Sequence, residues 1–285
     1  MIDKDKAKSK KEDLINYLEG LDSLLVAFSG GVDSAFLLAL AHQILGKRVM
    51  AATAESRVHP DRERETAVKF ARERGIRHIV FQSDEMSLPE FLSNGPDRCY
   101  HCKKFLSQRL IKIAEEKGIR HVAHAANVDD FQDYRPGLMA AKEMGITAPL
   151  VDARLDKEEI RFISKEMGLS TWDKPSMACL ASRIPYGDPI TGKKLKMVEE
   201  AEEFLAIHGF RQFRVRHHGS VARVEVESLE IKRIIEVNFK KDLVEEFRKI
   251  GFFHIAVDLE GYVSGSMNRD LENMGEEGAD KCPIK

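Results

Sequence analysis

In the stretch Val26-Ala27-Phe28-Ser29-Gly30-Gly31-Val32-Asp33-Ser34 an apolar run meets a glycine pair, and a second apolar run, Ala35 to Ala41, follows at once. An apolar run ended by small residues reads as a buried strand entering a tight turn, and the run after Ser34 reads as a buried helix. The turn therefore lies where a strand's carboxyl end meets a helix's amino end. That junction offers unbonded backbone N–H groups and a positive dipole end, which together suit an anion. Gly30 and Gly31 keep Cβ atoms away from an approaching phosphate, while Ser29 and Ser34 add hydroxyl donors. Asp33 can cap the helix or hold a cation. The loop has neither the spacing nor the lysine of a Walker-type phosphate loop, and it is not the dinucleotide fingerprint.

The same strand-then-helix unit recurs. Arg48 to Ala54 reads as a second buried strand, ending in the polar loop Glu55 to Pro60, and Asp61 to Arg74 as a helix stopped by Gly75. His78 to Phe81 is a short strand, and Leu88 to Arg98 breaks all periodicity as a loop or broken helix. Phe105 to Glu116 is a helix and His121 to His124 a strand. A polar loop then runs from Ala125 to Gly137 and a helix begins near Leu138. Leu150 to Ala153 is weakly strand-like, and Lys157 to Met167 is a helix ended by Gly168. Units of about 30 residues of this kind predict an α/β fold with a parallel, doubly wound sheet whose strand ends share one edge.

Past residue 170 the pattern changes. Trp172 to Gly187 is rich in turn-formers and holds the sole tryptophan. A helix over 192–208, a hairpin of Phe213–Arg216 and Val221–Val226, a helix over 229–250 and a strand over 253–257 predict a smaller α+β domain. The expected division is a nucleotide-binding domain at 1–187, a substrate-binding and assembly domain at 191–270, and a loosely held tail at 271–285.

With 285 residues, 43% of them hydrophobic, the chain can bury a substantial core. Its 45 basic and 47 acidic residues nearly cancel, which supplies no global case for nucleic acid or an anionic membrane as partner. The charged amino terminus lacks the apolar core of a signal peptide and no apolar run reaches membrane-spanning length, so a soluble cytoplasmic protein is expected.

The cysteines are Cys99, Cys102, Cys179 and Cys282. In a reducing compartment a Cys-x-x-Cys pair points to a metal or redox site more than to a disulfide. Cys99 and Cys102 fall at an expected loop-to-helix junction, where helix N–H groups favour thiolates. Cys179 lies in the segment that should return to the sheet's carboxyl edge. Three thiols beside an anion site suit a [4Fe-4S] cluster with one iron free of protein ligand, a zinc site, or sulfur transfer through a disulfide. Iron is favoured because no fourth ligand is obvious, although His101 could supply one.

The word Ser29-Gly30-Gly31-Val32-Asp33-Ser34 after a hydrophobic strand resembles the PP-loop of the ATP pyrophosphatase superfamily. Its members cleave ATP between the α and β phosphates, transfer AMP to an oxygen, and let a nitrogen or sulfur nucleophile displace the AMP. Further pieces resemble one branch, the LarE-type sulfur transferases of nickel-pincer nucleotide biosynthesis. These are Ala52 to Ser56, Asp129 to Gly137, Cys179 to Gly187, and Arg214-Val215-Arg216 with Glu225.

That resemblance implies ATP with Mg²⁺, adenylylation of the carboxylates of a pyridinium dicarboxylate mononucleotide, and conversion to thiocarboxylates. It implies nucleotide contacts from Ser29, Gly30, Gly31, Asp33, Ser34, Ala54, Ser56 and Asn127, and catalytic roles for Asp33, Arg183, Cys99, Cys102 and Cys179. Asp129, Asp130 and Asp133 are candidates to seat Mg²⁺. Arg214 and Arg216 would fork onto the substrate phosphate, with Glu225 orienting one of them or binding ribose. In one family branch the cysteine aligned with Cys179 is sacrificed as sulfur source. Cysteines at 99 and 102 match the other branch instead, in which three cysteines hold a [4Fe-4S] cluster that carries sulfide. A homo-oligomer, by resemblance a hexamer, is also implied. One departure stands out: His124-Ala125-Ala126 occupies a strand end where relatives commonly have Asp-Gly-Thr. The other readings are a tRNA thiolase, which the balanced charge disfavours, and a non-catalytic nucleotide-binding iron–sulfur protein.

Overall fold

The computed structural model describes residues 2–131, 136–263 and 265–269. Gln132, Asp133, Tyr134, Arg135, the 271–285 tail and its Cys282 lie outside the described residues. The chain divides into two compact units: residues 2–85 with Cys99–Ser176 form the first, and Met86–Arg98 with the described residues from Met177 onward form the second.

The first unit is built on four strands, β1 (Leu24–Ala27), β2 (Val49–Glu55), β3 (Arg77–Gln82) and β4 (His121–Ala123), in the order β3-β2-β1-β4. All pairings are parallel, with Val26 opposite Ala51 on one side and Ala123 on the other. Side chains alternate between the two faces, which is why the central strands read as unbroken apolar runs. Leu24, Val26, Val49 and Ala51 face one core with α1 (Lys4–Glu19), α2 (Val32–Leu45), α3 (Asp61–Glu73) and α8 (Lys157–Glu166). Leu25, Met50 and Ala52 face the other core with α5 (Arg98–Glu116) and α6 (Pro136–Glu143). Helix α2 is buried almost all round, as its nearly unbroken apolar sequence requires.

Two local readings are corrected here. Leu150 to Ala153 is no strand: Pro149 opens a short helix, α7 (Pro149–Asp152), that buries Leu150. The helix expected from Phe105 starts at Arg98 as α5, so Cys99 and Cys102 are already helical, while the broken stretch after β3 holds a short helix, α4 (Pro89–Leu92), as a broken helix would.

The second unit pairs β5 (Phe213–His218) with β6 (Val221–Val226) around Gly219, whose φ of 63° meets the need of a two-residue hairpin turn. Strand β7 (His254–Val257) adds parallel to β6. Helices α9 (Gly192–Ile207) and α11 (Val237–Ile250) supply Ala201, Leu205, Leu243 and Phe247 to the core under this sheet. The single helix expected over 229–250 is interrupted: α10 (Ile231–Ile235) ends at Glu236, whose ψ of 136° is extended. The β-branched run Ile234-Ile235 and Val237 holds helical conformation poorly, which fits a break there. Within this unit the Asn94 amide donates to the carbonyls of Pro185 and Asp188, both at 2.7 Å, fastening Met86–Arg98 to the turn after Arg183.

Candidate active site

Strand β1 delivers its chain into Ser29-Gly30-Gly31, and α2 begins at Val32 with Gly31 as its N-cap. Gly30 has φ of 75°, and a Cβ there would lie 3.2 Å from the Ala67 Cβ and 3.3 Å from the Glu63 carbonyl oxygen of α3. Glycine is therefore required at 30 by backbone and by space alike. The Ser29 and Ser34 hydroxyls are 3.1 Å apart, and Ser34 donates to the Gly31 carbonyl at 3.2 Å. Two serine oxygens and the amino end of a 14-residue helix thus converge on one turn at the sheet's carboxyl edge.

Asp33, one residue into the helix, meets the Lys157 ammonium at 2.5 Å through Oδ2. Its Oδ1 is buried with no hydrogen-bond partner among the described residues. The Asn127 side-chain amide faces this carboxylate and favours its charged form. Burial pushes the Asp33 carboxyl above its ordinary range, with Lys157 opposing and Asp130 adding to the rise. An orphaned, buried carboxylate oxygen beside an anion-binding turn has the donor chemistry to take a hard cation such as Mg²⁺. Asp129 and Asp130 are partly committed elsewhere: Asp129 accepts from the Lys157 amide at 2.9 Å and Asp130 from the Asn127 amide at 3.0 Å. Lys174 reaches the loop from beyond α8, donating to the Gly30 carbonyl at 3.0 Å and to Glu63 at 2.7 Å.

At the end of β2, Ala54 pairs with Phe81, and the Ser56 hydroxyl donates to Glu85. Glu85 is buried and also accepts from Ser83 at 2.7 Å, so the turn after β2 is held by a carboxylate beneath it. Cys99 and Cys102 are half-buried thiols on the first turns of α5, and the i, i+3 spacing puts both on one helix face. Lys103 lies beside them: burial lowers its pKa, while Cys102, Asp130 and Cys99 pull it back up. Among the described residues no group of three or more His, Cys, Asp or Glu side chains is placed to hold a metal ion, so the pair alone does not close a cluster site.

The second unit carries Cys179, also half-buried, in a loop organised by Arg183. Arg183 is fully buried, makes a two-pronged pair with Glu202 at 2.8 and 3.0 Å, and donates to the Cys179 carbonyl at 2.9 Å. Its guanidinium therefore shapes the cysteine's backbone. Arg214 and Arg216 share one face of β5. Arg216 forks onto Glu225 at 2.9 and 2.8 Å, and Arg214 lies over the Tyr262 ring at 4.9 Å. Burial and then the nearby Arg183 draw Arg214 down to about 10, which leaves it cationic at neutral pH. With Arg223 also on Glu225 at 3.1 Å, arginines outnumber the two buried carboxylates, an excess that suits an anionic ligand.

Lys157, Lys174, Lys103 and Glu85 were not legible as site residues. Lys157 and Lys174 meet partners 124 and 144 positions away, so no local pattern marks them.

A pattern for the asparagine synthase family matches residues 19–102. An uncharacterized protein of Synechocystis is 41% identical over 93% of this chain and 98% of its own length. The pyridinium-3,5-bisthiocarboxylic acid mononucleotide synthase of Lactiplantibacillus plantarum is 34% identical over 92% of this chain and 95% of its own. The chain belongs to the LarE family of PP-loop ATP pyrophosphatases. An uncharacterized protein of Methanocaldococcus jannaschii is 30% identical over 85% of this chain. Membership in the LarE family makes this an ATP-using enzyme, and the glycine turn before α2 carries its PP-loop word. No helix among the described residues is long and apolar enough to cross a membrane.

Proposed function

We propose that the protein is an ATP-dependent sulfur transferase that adenylylates the carboxylates of pyridinium-3,5-biscarboxylic acid mononucleotide and converts them to thiocarboxylates. The observation that carries this reading is the relation to the Lactiplantibacillus synthase over nearly the whole chain, with an intact anion-binding turn in the PP-loop. A carboxylate is a poor electrophile until AMP is attached. Its oxygen attacks the α-phosphorus, the bond to the bridging oxygen breaks, and pyrophosphate leaves. Sulfur then attacks the acyl carbon and AMP departs; repetition modifies the second carboxylate.

Residues take roles that their surroundings favour. The amides opening α2 and the Ser29 and Ser34 hydroxyls bind phosphate oxygens, and Asp33 would hold Mg²⁺ through its orphaned oxygen. The Ala54–Ser56 strand end and Asn127 contribute to the nucleotide pocket. Arg214 and Arg216, set by Glu225, take the substrate's phosphate, and Arg183 positions Cys179. The three-cysteine set Cys99, Cys102 and Cys179 would ligate a [4Fe-4S] cluster, which when bound supplies a coordination site for sulfide. Inorganic sulfide or another sulfur donor is then the second substrate, and the protein acts as a cytoplasmic homo-oligomer.

The test is anaerobically prepared protein given ATP, Mg²⁺, the dicarboxylate mononucleotide and labelled sulfide. More than one sulfur transferred per chain, with the mass of Cys179 unchanged, is the expected result. At most one sulfur per chain, with loss of H₂S from Cys179, would replace this mechanism by the sacrificial one. Absence of pyrophosphate release would overturn the reaction class.

A further inference from the structure

The PP-loop carries no lysine of its own, yet a lysine from 144 positions away stands on it. Lys174 lies in the turn-rich segment after α8. Its ammonium is 3.0 Å from the Gly30 carbonyl oxygen and 2.7 Å from Glu63 Oε2, and its side chain is largely buried. Gly30 is the residue whose missing Cβ lets α3 close on the turn, and Glu63 lies in the first turn of that helix. The lysine is thus held against the PP-loop turn itself.

Charge bookkeeping around the turn gives this position a meaning. Asp33 and Glu63 bring two negative charges, and Lys157 and Lys174 bring two positive ones, each in a close pair. The turn is balanced without nucleotide. The triphosphate of ATP adds about four negative charges, and in-line cleavage concentrates charge on the departing pyrophosphate. Lys157 is paired with Asp33 inside the turn. Lys174 can answer that need: Glu63 is at the amino end of α3, where the helix dipole supports a carboxylate left without its lysine.

We propose that Lys174 is the substrate-contacting residue that leaves Glu63 when ATP binds and neutralises the β- and γ-phosphates, stabilising pyrophosphate as the Pα–O bond breaks. The assignment rests on the ATP-adenylylation reading above. It makes Lys174, reached through the chain's distant return, the counterpart of the lysine that Walker-type loops carry within themselves.

The experiment measures binding of ATP, pyrophosphate and AMP to the full-length protein by calorimetry with Mg²⁺, for wild type and for Lys174→Met, Lys174→Arg and Glu63→Gln. Lys174→Met should weaken ATP and pyrophosphate by roughly tenfold or more, the scale of a lost charge-assisted hydrogen bond, and leave AMP within about twofold. Lys174→Arg should recover part of that loss. Glu63→Gln, which frees the ammonium, should tighten ATP. If Lys174 is only a structural latch to Glu63, both Lys174→Met and Glu63→Gln will weaken ATP and AMP alike, and the proposal fails. Unchanged ATP binding by Lys174→Met, with wild type binding normally, also overturns it and leaves the adenylylation reading intact. Wild-type protein that binds no ATP would overturn that reading and this assignment together.

Discussion

Lys157 ties two aspartates together: its ammonium lies 2.5 Å from Asp33 Oδ2, and its backbone amide donates to Asp129 at 2.9 Å. The ion pair with Asp33 keeps a carboxylate charged where burial works against it. Burial still prevails, and the Asp33 carboxyl titrates above its ordinary range despite Lys157. A carboxyl raised on folding contributes stability below its unfolded pKa of about 4, and that contribution is lost as pH rises through the higher folded value. Denaturation measured from pH 3 to 7 should therefore show wild type losing stability relative to Asp33→Asn as pH rises. The variant should lose ATP-dependent pyrophosphate release at every pH. Parallel stability curves would contradict the account.

The two loop glycines should respond unequally. At Gly30 a side chain meets both a φ of 75° and contacts of 3.2 to 3.3 Å, whereas at Gly31 the nearest atom is the Ser29 hydroxyl at 3.4 Å and φ is an ordinary −78°. Gly30→Ala should cost about 1–2 kcal/mol from the left-handed backbone alone. Gly31→Ala should cost about 0.5 kcal/mol or less. Urea denaturation of the two variants compares them directly, and the reverse order would refute the steric argument.

Those glycines were legible because strand, turn and helix are adjacent in sequence, and so was the parallel sheet, since each apolar run meets its own helix. The lysines were not. Lys157 and Lys174 look like ordinary charged residues next to a helix cap and a proline, and only the return of the chain brings them to the loop. Arg183 shows the opposite case. The family resemblance implied a catalytic role for it, but nothing local could reveal that Glu202, on the following helix, takes both prongs of its guanidinium.

His124 follows β4 directly as a buried histidine whose Nδ1 accepts from the Ala126 amide at 3.3 Å. That bond needs a neutral ring. Burial, with the Lys103 charge adding to it, lowers the His124 pKa to about 3. Unfolded chains take up the proton near pH 6.5 and the folded one does not, so stability is full above that pH and falls on acidification toward 3. The expected loss is on the order of a few kcal/mol. Replacement by Gln should flatten the stability profile between pH 6.5 and 4; an unaltered acid limb would show that other groups control it.

Arg183 and Glu202 form a fully buried pair, and Glu202 accepts further from the Val215 amide at 3.1 Å. Breaking such a pair leaves one charge stranded. Arg183→Met or Glu202→Leu should each cost about 3–5 kcal/mol, and the two combined should cost less than the sum. Thermal unfolding of the single and double variants gives the coupling. Additive losses would mean that the two side chains act separately.

The cysteines give the sharpest division between mechanisms. Cys99 and Cys102 share one face of α5 beside Lys103, and Cys179 sits in a loop whose carbonyl Arg183 holds. A sacrificial sulfur donor needs Cys179 alone, so its two companions would be dispensable for a first turnover. A cluster ligand set needs all three. Anaerobic preparation should then yield about four irons and four sulfides per chain, and Cys99→Ala, Cys102→Ala and Cys179→Ala should each lose most of that iron. Each variant should still bind ATP, because the nucleotide contacts proposed at the Gly30 turn involve no cysteine. Full iron retention by Cys99→Ala, or a Cys99→Ala and Cys102→Ala double variant that still converts one carboxylate per chain at the cost of its Cys179 sulfur, would defeat the three-cysteine assignment.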